Sequence, residues 1–447
     1  MTSKILKCKC DTLDDFGRGI VHIDNQTLFV NNLLPGDEAN IKTTYKYGKV
    51  FSTSIISFLN KSKDRISPPC PYYSKCGGCN LMHLSYEKQL EFKKEKVHNL
   101  IKKISHLDLK INDVIPCTDL SGFRTKVQKP FGLINNKVCL GFYKEGTHKI
   151  VCIKKCLIEK ELSNNICNTF LSLIKKYNYK IYDEDTKTGS LRHLLIKVSS
   201  DAKSALVTLV TKENNLKGIK EFAKELIQIH PEIKGFLLNI NPRDTNVILG
   251  QKEIPVFGLS YIKDKIFDNV FSISSSSFYQ TNSRVVETLY SQVIKLASFS
   301  PNDIVLDAYC GTGTIGISCS KYVKKVIGVE INKSSINDAI YNTKRNNIQN
   351  CSFILDDATN FILKSKDLFD VIILDPPRKG TTKEFIQACL SKKPNKIIYV
   401  SCDVATLSRD LALFNKGYEI KEIQPIDMFP HSYHVECIAG LYRKEWK

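Results

Sequence analysis

The sequence predicts a chain of three parts: a small N-terminal β-barrel over residues 1–62, a mixed α/β segment over 63–265, and a doubly wound α/β unit over 266–447. Three observations carry this. Short alternating runs broken by turn residues fill the first sixty positions. A cysteine-rich stretch, CPYYSKCGGC at 70–79, follows a Pro-containing linker. Beyond residue 300, apolar strands alternate with helical segments around IVLDAYCGTGTIG at 304–316.

Composition narrows the class. The 447 residues hold 65 Lys+Arg against 46 Asp+Glu, a net charge of +19, which points to a polyanionic partner. No apolar run reaches transmembrane length, and MTSKILKCKC lacks a signal peptide's apolar core, so the expected place is the cytoplasm, away from membranes. In that reducing compartment the 16 cysteines are not expected to form a disulfide framework; they suggest metal and nucleophile positions instead. Nothing marks an obligate protein partner.

The N-terminal runs KILKCKC, GIVHI, TLFVNN, EANIKTTYKY and KVFSTSIISFL are parted by Asp14-Asp15, Asn25 and Pro35-Gly36-Asp37, which fits a five-stranded barrel. Lys42, Lys46 and Lys49, with Tyr45, Tyr47 and Phe51, form a candidate basic stacking surface for nucleic acid. Cys70, Cys76 and Cys79 follow at C-x5-C-x2-C spacing, with Gly77-Gly78 allowing the tight backbone on which thiolates converge. A fourth ligand must come from elsewhere: Cys156 in IVCIKKC is the first choice and Cys152 the second. The spacing suits zinc and an iron–sulfur cluster alike.

Residues 85–105 read as an amphipathic helix with Val97, Leu100, Ile101 and Ile104 on its stripe and a lysine-rich solvated back. Strands over 122–158, 191–199, 205–211, 236–240 and 246–257, with helices over 163–177 and 216–229, make the middle part. Arg124, Lys126, Lys129, Arg192 and His193 are its candidate RNA contacts. SFYQTN at 277–282 is expected to open a helix to about residue 297, with Gln280 at its start, within reach of a bound cofactor.

Strand 304–307, a turn with Gly311 and Gly313, and a helix from Thr314 form the strand–turn–helix unit whose glycines let backbone approach a ligand. The next strand ends in Glu330, where a ribose hydroxyl is held in such folds. Strands 351–355, 370–375 and 396–401 follow; the second runs into Pro376-Pro377-Arg378 and the third delivers Cys402. Helices at 333–346, 381–390 and 404–415 alternate with them, so Glu330, Asp375 and Cys402 share the ligand-binding edge. Two last strands, 418–427 and 435–442, flank MFPHSYHVE at 428–436 and bring Glu436 towards that edge. His431 and His434 read as structural or RNA-contacting, since no complementary spacing makes them metal ligands.

Together CPYYSKCGGCNLMH, FRTKVQ, SSFYQTN, LDAYCGTGTIG, GVE, DPPRKG, SCDVATLSRDL and MFPHSYHVE resemble, over nearly the whole chain, the S-adenosylmethionine-dependent RNA uracil-5-methyltransferases, including their cluster-bearing ribosomal members. The resemblance implies an OB-like TRAM barrel that binds RNA, a middle domain with an iron–sulfur site, and a C-terminal Rossmann-like class I methyltransferase. It implies Cys402 as nucleophile and Glu436 as general base. It puts Gln280, Tyr309, Glu330 and Asp375 around S-adenosylmethionine, with the turn at Gly311 and Gly313, and a [4Fe–4S] cluster on Cys70, Cys76, Cys79 and Cys156. The implied substrate is RNA, 23S ribosomal RNA first and transfer RNA as the alternative. One departure is Val404, where the family usually has proline, which implies a less rigid turn after Cys402.

The chemistry explains the residue types. C5 of uracil is a poor nucleophile until a thiolate adds at C6, and a base must then remove the C5 proton. A basic site or the helix start after Cys402 is expected to lower its pKa. Amino-group methyltransferases typically carry an aromatic where Arg378 stands, and they need no cysteine. An RNA-binding or folding factor without catalysis is the alternative of a different class.

Overall fold

A computed structural model describes residues 2–23, 25–46, 49–144, 146–147, 149–184, 186–245 and 247–444. Two three-stranded antiparallel sheets come first: Thr2–Lys9, Glu38–Lys46 and Lys49–Asn60 in one, Thr12–Leu13, Gly19–Ile23 and Gln26–Val30 in the other. Alternation builds them. Ala39 and Ile41 turn inward to share a core with Cys8, Val21 and Leu33. Lys42 and Lys46 turn outward and Tyr45 is half-buried; Tyr47 and the side chains of Lys49 and Phe51 lie outside the described residues.

The middle sheet has seven strands in the order Ile150–Cys152, Lys137–Tyr143, Lys126–Ile134, Leu191–Val198, Ala205–Thr211, Ile233–Ile240 and Lys252–Gly258. Helices Glu161–Tyr177 and Ile219–Ile229 pack on it around Phe170, Phe222 and Phe236. Two of the expected RNA contacts are internal. Lys129 is fully buried and pairs with Glu159 at 2.7 Å, and Arg192 donates to the carbonyls of Asn241 and Arg243. Strand Lys126–Ile134 is paired on both edges, so its inward lysine looks in sequence like an outward one. Arg124, Lys126 and His193 are only partly buried.

The last sheet has eight strands, in the order Cys351–Leu355, Lys325–Glu330, Ile304–Ala308, Val371–Leu374, Lys396–Ser401, Glu436–Arg443, Tyr418–Ile426 and Lys110–Ile111. The first five run parallel, and Glu436–Arg443 is inserted antiparallel against Lys396–Ser401. Apolar runs such as Val371–Leu374 are buried throughout, as strands covered on both faces require. Helix Tyr86–Ser105 packs against helix Val404–Phe414, burying Gln89, Lys93, Val97, Ile101 and Ser105. Among the described residues no helix is long and apolar enough to cross a membrane.

Candidate active site

The glycine turn makes the floor of the site. After strand Ile304–Ala308 the backbone is left-handed at Tyr309, Gly311 and Gly313 before helix Thr314–Cys319 begins. A Cβ at Gly313 would come within 2.7 Å of the Phe353 ring, whereas one at Gly311 would meet nothing within 4 Å. Space is therefore open beside the Glu330 carboxylate, which accepts the Gly311 N–H at 3.2 Å and the Asn332 N–H at 2.8 Å. Tyr309 turns its hydroxyl to Thr381 Oγ1 at 2.8 Å.

Asp307 went unread in the sequence, although it stands in the motif. It is fully buried, its Oδ2 accepts the Gly316 N–H at 2.9 Å, and its Oδ1 has no partner among the described residues. Burial, reinforced by Asp375 and Glu330, pushes its carboxyl up to about 7. Burial raises Asp375 to about 7 as well. An apolar strand ending in a single acid before a glycine turn was the available signal.

The antiparallel insertion decides what faces Cys402. Ser401 pairs with Cys437, so Glu436, one residue earlier, comes to the next rung beside Cys402. Glu436 is 3% exposed, and burial with Asp375 nearby holds its carboxyl well above the ordinary range, opposed by Arg378. Cys402 is pushed up to about 11 by burial and then by Glu436 and Asp375, against Arg378. This corrects the expectation of a depressed thiol. The helix start is capped by Asp403, which accepts the Thr406 N–H at 2.9 Å, so its positive end is turned to that carboxylate.

Gln280 is also placed differently from expectation. The helix begins at Val286, and residues 277–282 form an irregular, non-helical stretch held by Thr125 N–H on the Thr281 carbonyl at 2.9 Å and by Asn282 on the Met428 carbonyl at 2.9 Å. Gln280 is 7% exposed, and Thr312 Oγ1 ties this segment to the glycine turn through the Phe278 carbonyl at 3.4 Å.

The loop leading to Glu436 is held from helix Tyr86–Ser105. Lys93 bonds Asp427 at 2.6 Å and the Phe429 carbonyl at 3.0 Å, with both charged side chains fully buried. Gln89 accepts the His431 N–H at 3.0 Å, and the His431 carbonyl accepts from Asn80 and Leu81, next to Cys79. The His431 ring, expected to be structural or RNA-contacting, lies 3.2 Å through Nε2 from the Leu120 carbonyl. His434 is half-buried and pushed down to about 4 by burial and the cations Arg378 and Lys96.

The family description tRNA (uracil-5-)-methyltransferase matches residues 85–444. An RNA methyltransferase of Clostridium acetobutylicum is 42% identical over 442 residues, covering 96% of each chain, and one of Oceanobacillus iheyensis is 38% identical, covering 96% of this chain and 94% of its own. The chain belongs to the tRNA (uracil-5-)-methyltransferase family. In three dimensions it is similar to the Pyrococcus abyssi tRNA (uracil-54, C5)-methyltransferase in complex with S-adenosyl-L-homocysteine, with a TM-score of 0.78 at 26% identity, over 98% of this chain and 100% of that one. The protein is an S-adenosylmethionine-dependent RNA methyltransferase. The floor of its site leaves room for that cofactor, with open space over Gly311 beside the Glu330 carboxylate.

The expected metal ligands share one place. Cys70, Cys76, Cys79 and Cys156 line a cavity of about 440 Å³ beside an apolar knot of Met82, Phe123 and Ile158. Burial raises the thiols of Cys76 and Cys156, and that of Cys79 to about 12. Among the described residues no three His, Cys, Asp or Glu side chains converge as a metal site. Cys152 is withdrawn as a ligand, because it forms a disulfide with Cys139 across the hairpin 137–152. Adjacent strands bring the two Cα atoms to 5.6 Å, within bonding range.

Proposed function

We propose that this methyltransferase modifies C5 of uridine in RNA, with Cys402 as nucleophile and Glu436 as general base. The observation that carries the reading is the register that sets Glu436 on the rung beside Cys402, at the strand ends where the glycine turn opens. S-adenosylmethionine supplies the methyl group as an electrophile. Gly311, Gly313, Glu330, Asp375, Gln280 and Tyr309 form its surroundings.

Cys402, in its thiolate form, adds through Sγ to C6 of the uracil, and the electron pair of the C5–C6 double bond moves to C5, which would take the methyl group as S-adenosylhomocysteine leaves. After C5 is methylated, Glu436 takes the C5 proton, the C5–C6 double bond re-forms, and the C6–S bond breaks to return the thiolate. The high pKa of Glu436 suits this, since a buried carboxylate with a raised pKa is a stronger base. Arg378 supports the thiolate form of Cys402. The target base is reached outside its helix, flipped or already unstacked.

The four cysteines of the cavity hold a [4Fe–4S] cluster in this reading. The support for this is that all four line one cavity, together with the resemblance of the cysteine set to the cluster-bearing members. Its role is structural, since the reaction has no redox step. The barrel-like sheets of residues 1–62 and the middle segment over 63–265 serve RNA binding, in the cytoplasm.

Ribosomal RNA is the proposed substrate, on the likeness of the cysteine set to cluster-bearing ribosomal members. Transfer RNA is the second reading, favoured by the Pyrococcus abyssi neighbour, which acts on tRNA uracil-54. Mass-spectrometric mapping of 5-methyluridine in both RNAs, from cells with and without the gene, tests this. Loss at one or two ribosomal uridines supports the first reading, loss in transfer RNA the second. No loss in either moves the RNA-binding role without catalysis to the front.

A further inference from the structure

A ladder of flat groups runs from the N-terminal sheets to the loop that carries Glu436, and the reaction above uses none of it. It starts at Phe29, 43% exposed, whose ring lies 4.7 Å from the Arg18 guanidinium. The same guanidinium lies 5.4 Å from the ring of Phe16. Phe16 is 54% exposed and meets Tyr433 edge-on at 5.4 Å. Tyr433 lies 4.3 Å from His434, and Lys96 stands 4.9 Å over the Tyr433 ring. Lys96 is itself within electrostatic reach of Asp15 on the Phe16 turn and of Asp403, the neighbour of Cys402.

Packing does not account for Phe16. Its turn is already closed by Asp14, which accepts the N–H groups of Phe16 at 3.0 Å and Arg18 at 2.8 Å. A large ring at the tip therefore adds exposed apolar surface without fixing the turn. Exposed rings interleaved with a guanidinium and an ammonium are the kind of surface on which unpaired bases stack. Charge at the turn is near balance, Asp14 and Asp15 against Arg18 and Lys96, which favours a flat neutral base there over a phosphate. Phosphates have a place next door: a groove lined by Phe16, Arg18, Asn32, Lys75 and Lys144.

We infer that Phe16 and Tyr433 stack the base of an unpaired nucleotide flanking the target uridine. The inference rests on the uridine-methylation reading and deepens it. Taking the target out of its stack exposes the face of its neighbour, and the ladder ends at the loop beside Cys402, where that neighbour emerges.

The test uses the full-length protein, with ribosomal and transfer RNA from cells lacking the gene as methyl acceptors and as ligands. Phe16→Ala and Phe16→Leu each weaken binding of the accepting RNA by about 10-fold, while Phe16→Trp retains it. Melting and S-adenosylhomocysteine affinity stay at parental values in all three. In a Trp446→Phe background, which removes the one native tryptophan, emission of the Phe16→Trp variant is quenched by that RNA. Full binding by Phe16→Leu, or unquenched emission on RNA that the variant methylates, overturns the inference. If the parent protein methylates no uridine, the acceptor assay reports that separately, and the underlying reading falls with the inference.

Discussion

The strand-end site and the cysteine cavity both bury groups that are costly to bury alone, and they organise them in different ways. At the strand ends, backbone pairing sets the positions: Ser401 opposite Cys437 leaves Glu436 beside Cys402, whatever its charge state. Burial raises the carboxyls of Asp307, Asp375 and Glu436 above the ordinary range, and the charge of Asp375 adds to this for Asp307 and Glu436. In the cavity, burial raises Cys76, Cys79 and Cys156 in the same direction, yet among the described residues no three ligands converge. Those thiols sit on loops, outside any ladder. A sheet register assembles on folding alone, whereas a loop-borne ligand set takes its final geometry from what it binds.

Breaking the first region gives the largest effect. Cys402→Ala is expected to lower methyl transfer by at least ~10⁴-fold, with S-adenosylhomocysteine affinity and melting unchanged. Glu436→Gln is expected to lower it by about 10²–10⁴-fold and to accumulate an RNA–protein adduct that survives denaturing electrophoresis, because the C5 proton stays in place. Methyl transfer by Cys402→Ala would remove the covalent step. Full activity without adduct in Glu436→Gln would move the base role to another residue.

Next in size is the support behind that region. Lys93→Met leaves Asp427 buried without its cation, which costs about 3–5 kcal/mol, read as a lowered urea midpoint. Lys93→Met with Asp427→Leu recovers much of it, since apolar replacement of both partners is often near neutral. An unchanged midpoint in the single variant contradicts a stabilising role for the pair. In the second region, Cys76→Ser is expected to lower iron and sulfide content and to open residues 70–160 to protease, with the strand-end register intact. Equal iron and an unchanged cleavage pattern would sink the cluster assignment.

What could be read in the sequence follows the same division. The parallel strands were legible because strands buried on both faces are continuous apolar runs: Lys396–Ser401 falls at its expected bounds. The glycine turn was legible because its spacing is local. Three kinds of feature were not. Lys93 lies in a lysine-rich helix, and only the tertiary partner Asp427, far along the chain, makes it internal. Gln280 was expected at a helix start, but bonds made by Thr125 and Asn282 hold that stretch in an irregular loop. The raised pKa of Cys402 comes first from burial and then from Glu436 and Asp375, which are distant in sequence and which local spacing does not reveal.

The smallest predicted effect is the sharpest test of how the two regions differ. Cys402 sits at about 11, so near neutral pH it is mostly a thiol. Burial is the first cause and the Glu436 carboxylate the second. A negative neighbour disfavours the thiolate, so Glu436→Gln shifts the midpoint below about 11 and Arg378→Ala shifts it higher. Iodoacetamide labelling of Cys402 against pH, read by peptide mass, follows both. A downward shift of about one unit gives roughly 10-fold faster labelling at pH 8. Cys79, raised to about 12 by burial and then by Cys76 and Cys70, serves as the internal reference, since Glu436 is not among its causes. If Glu436→Gln shifts both cysteines together, the change is a general loosening. If it shifts Cys402 alone, the charge on the neighbouring rung sets the reactivity of the proposed nucleophile.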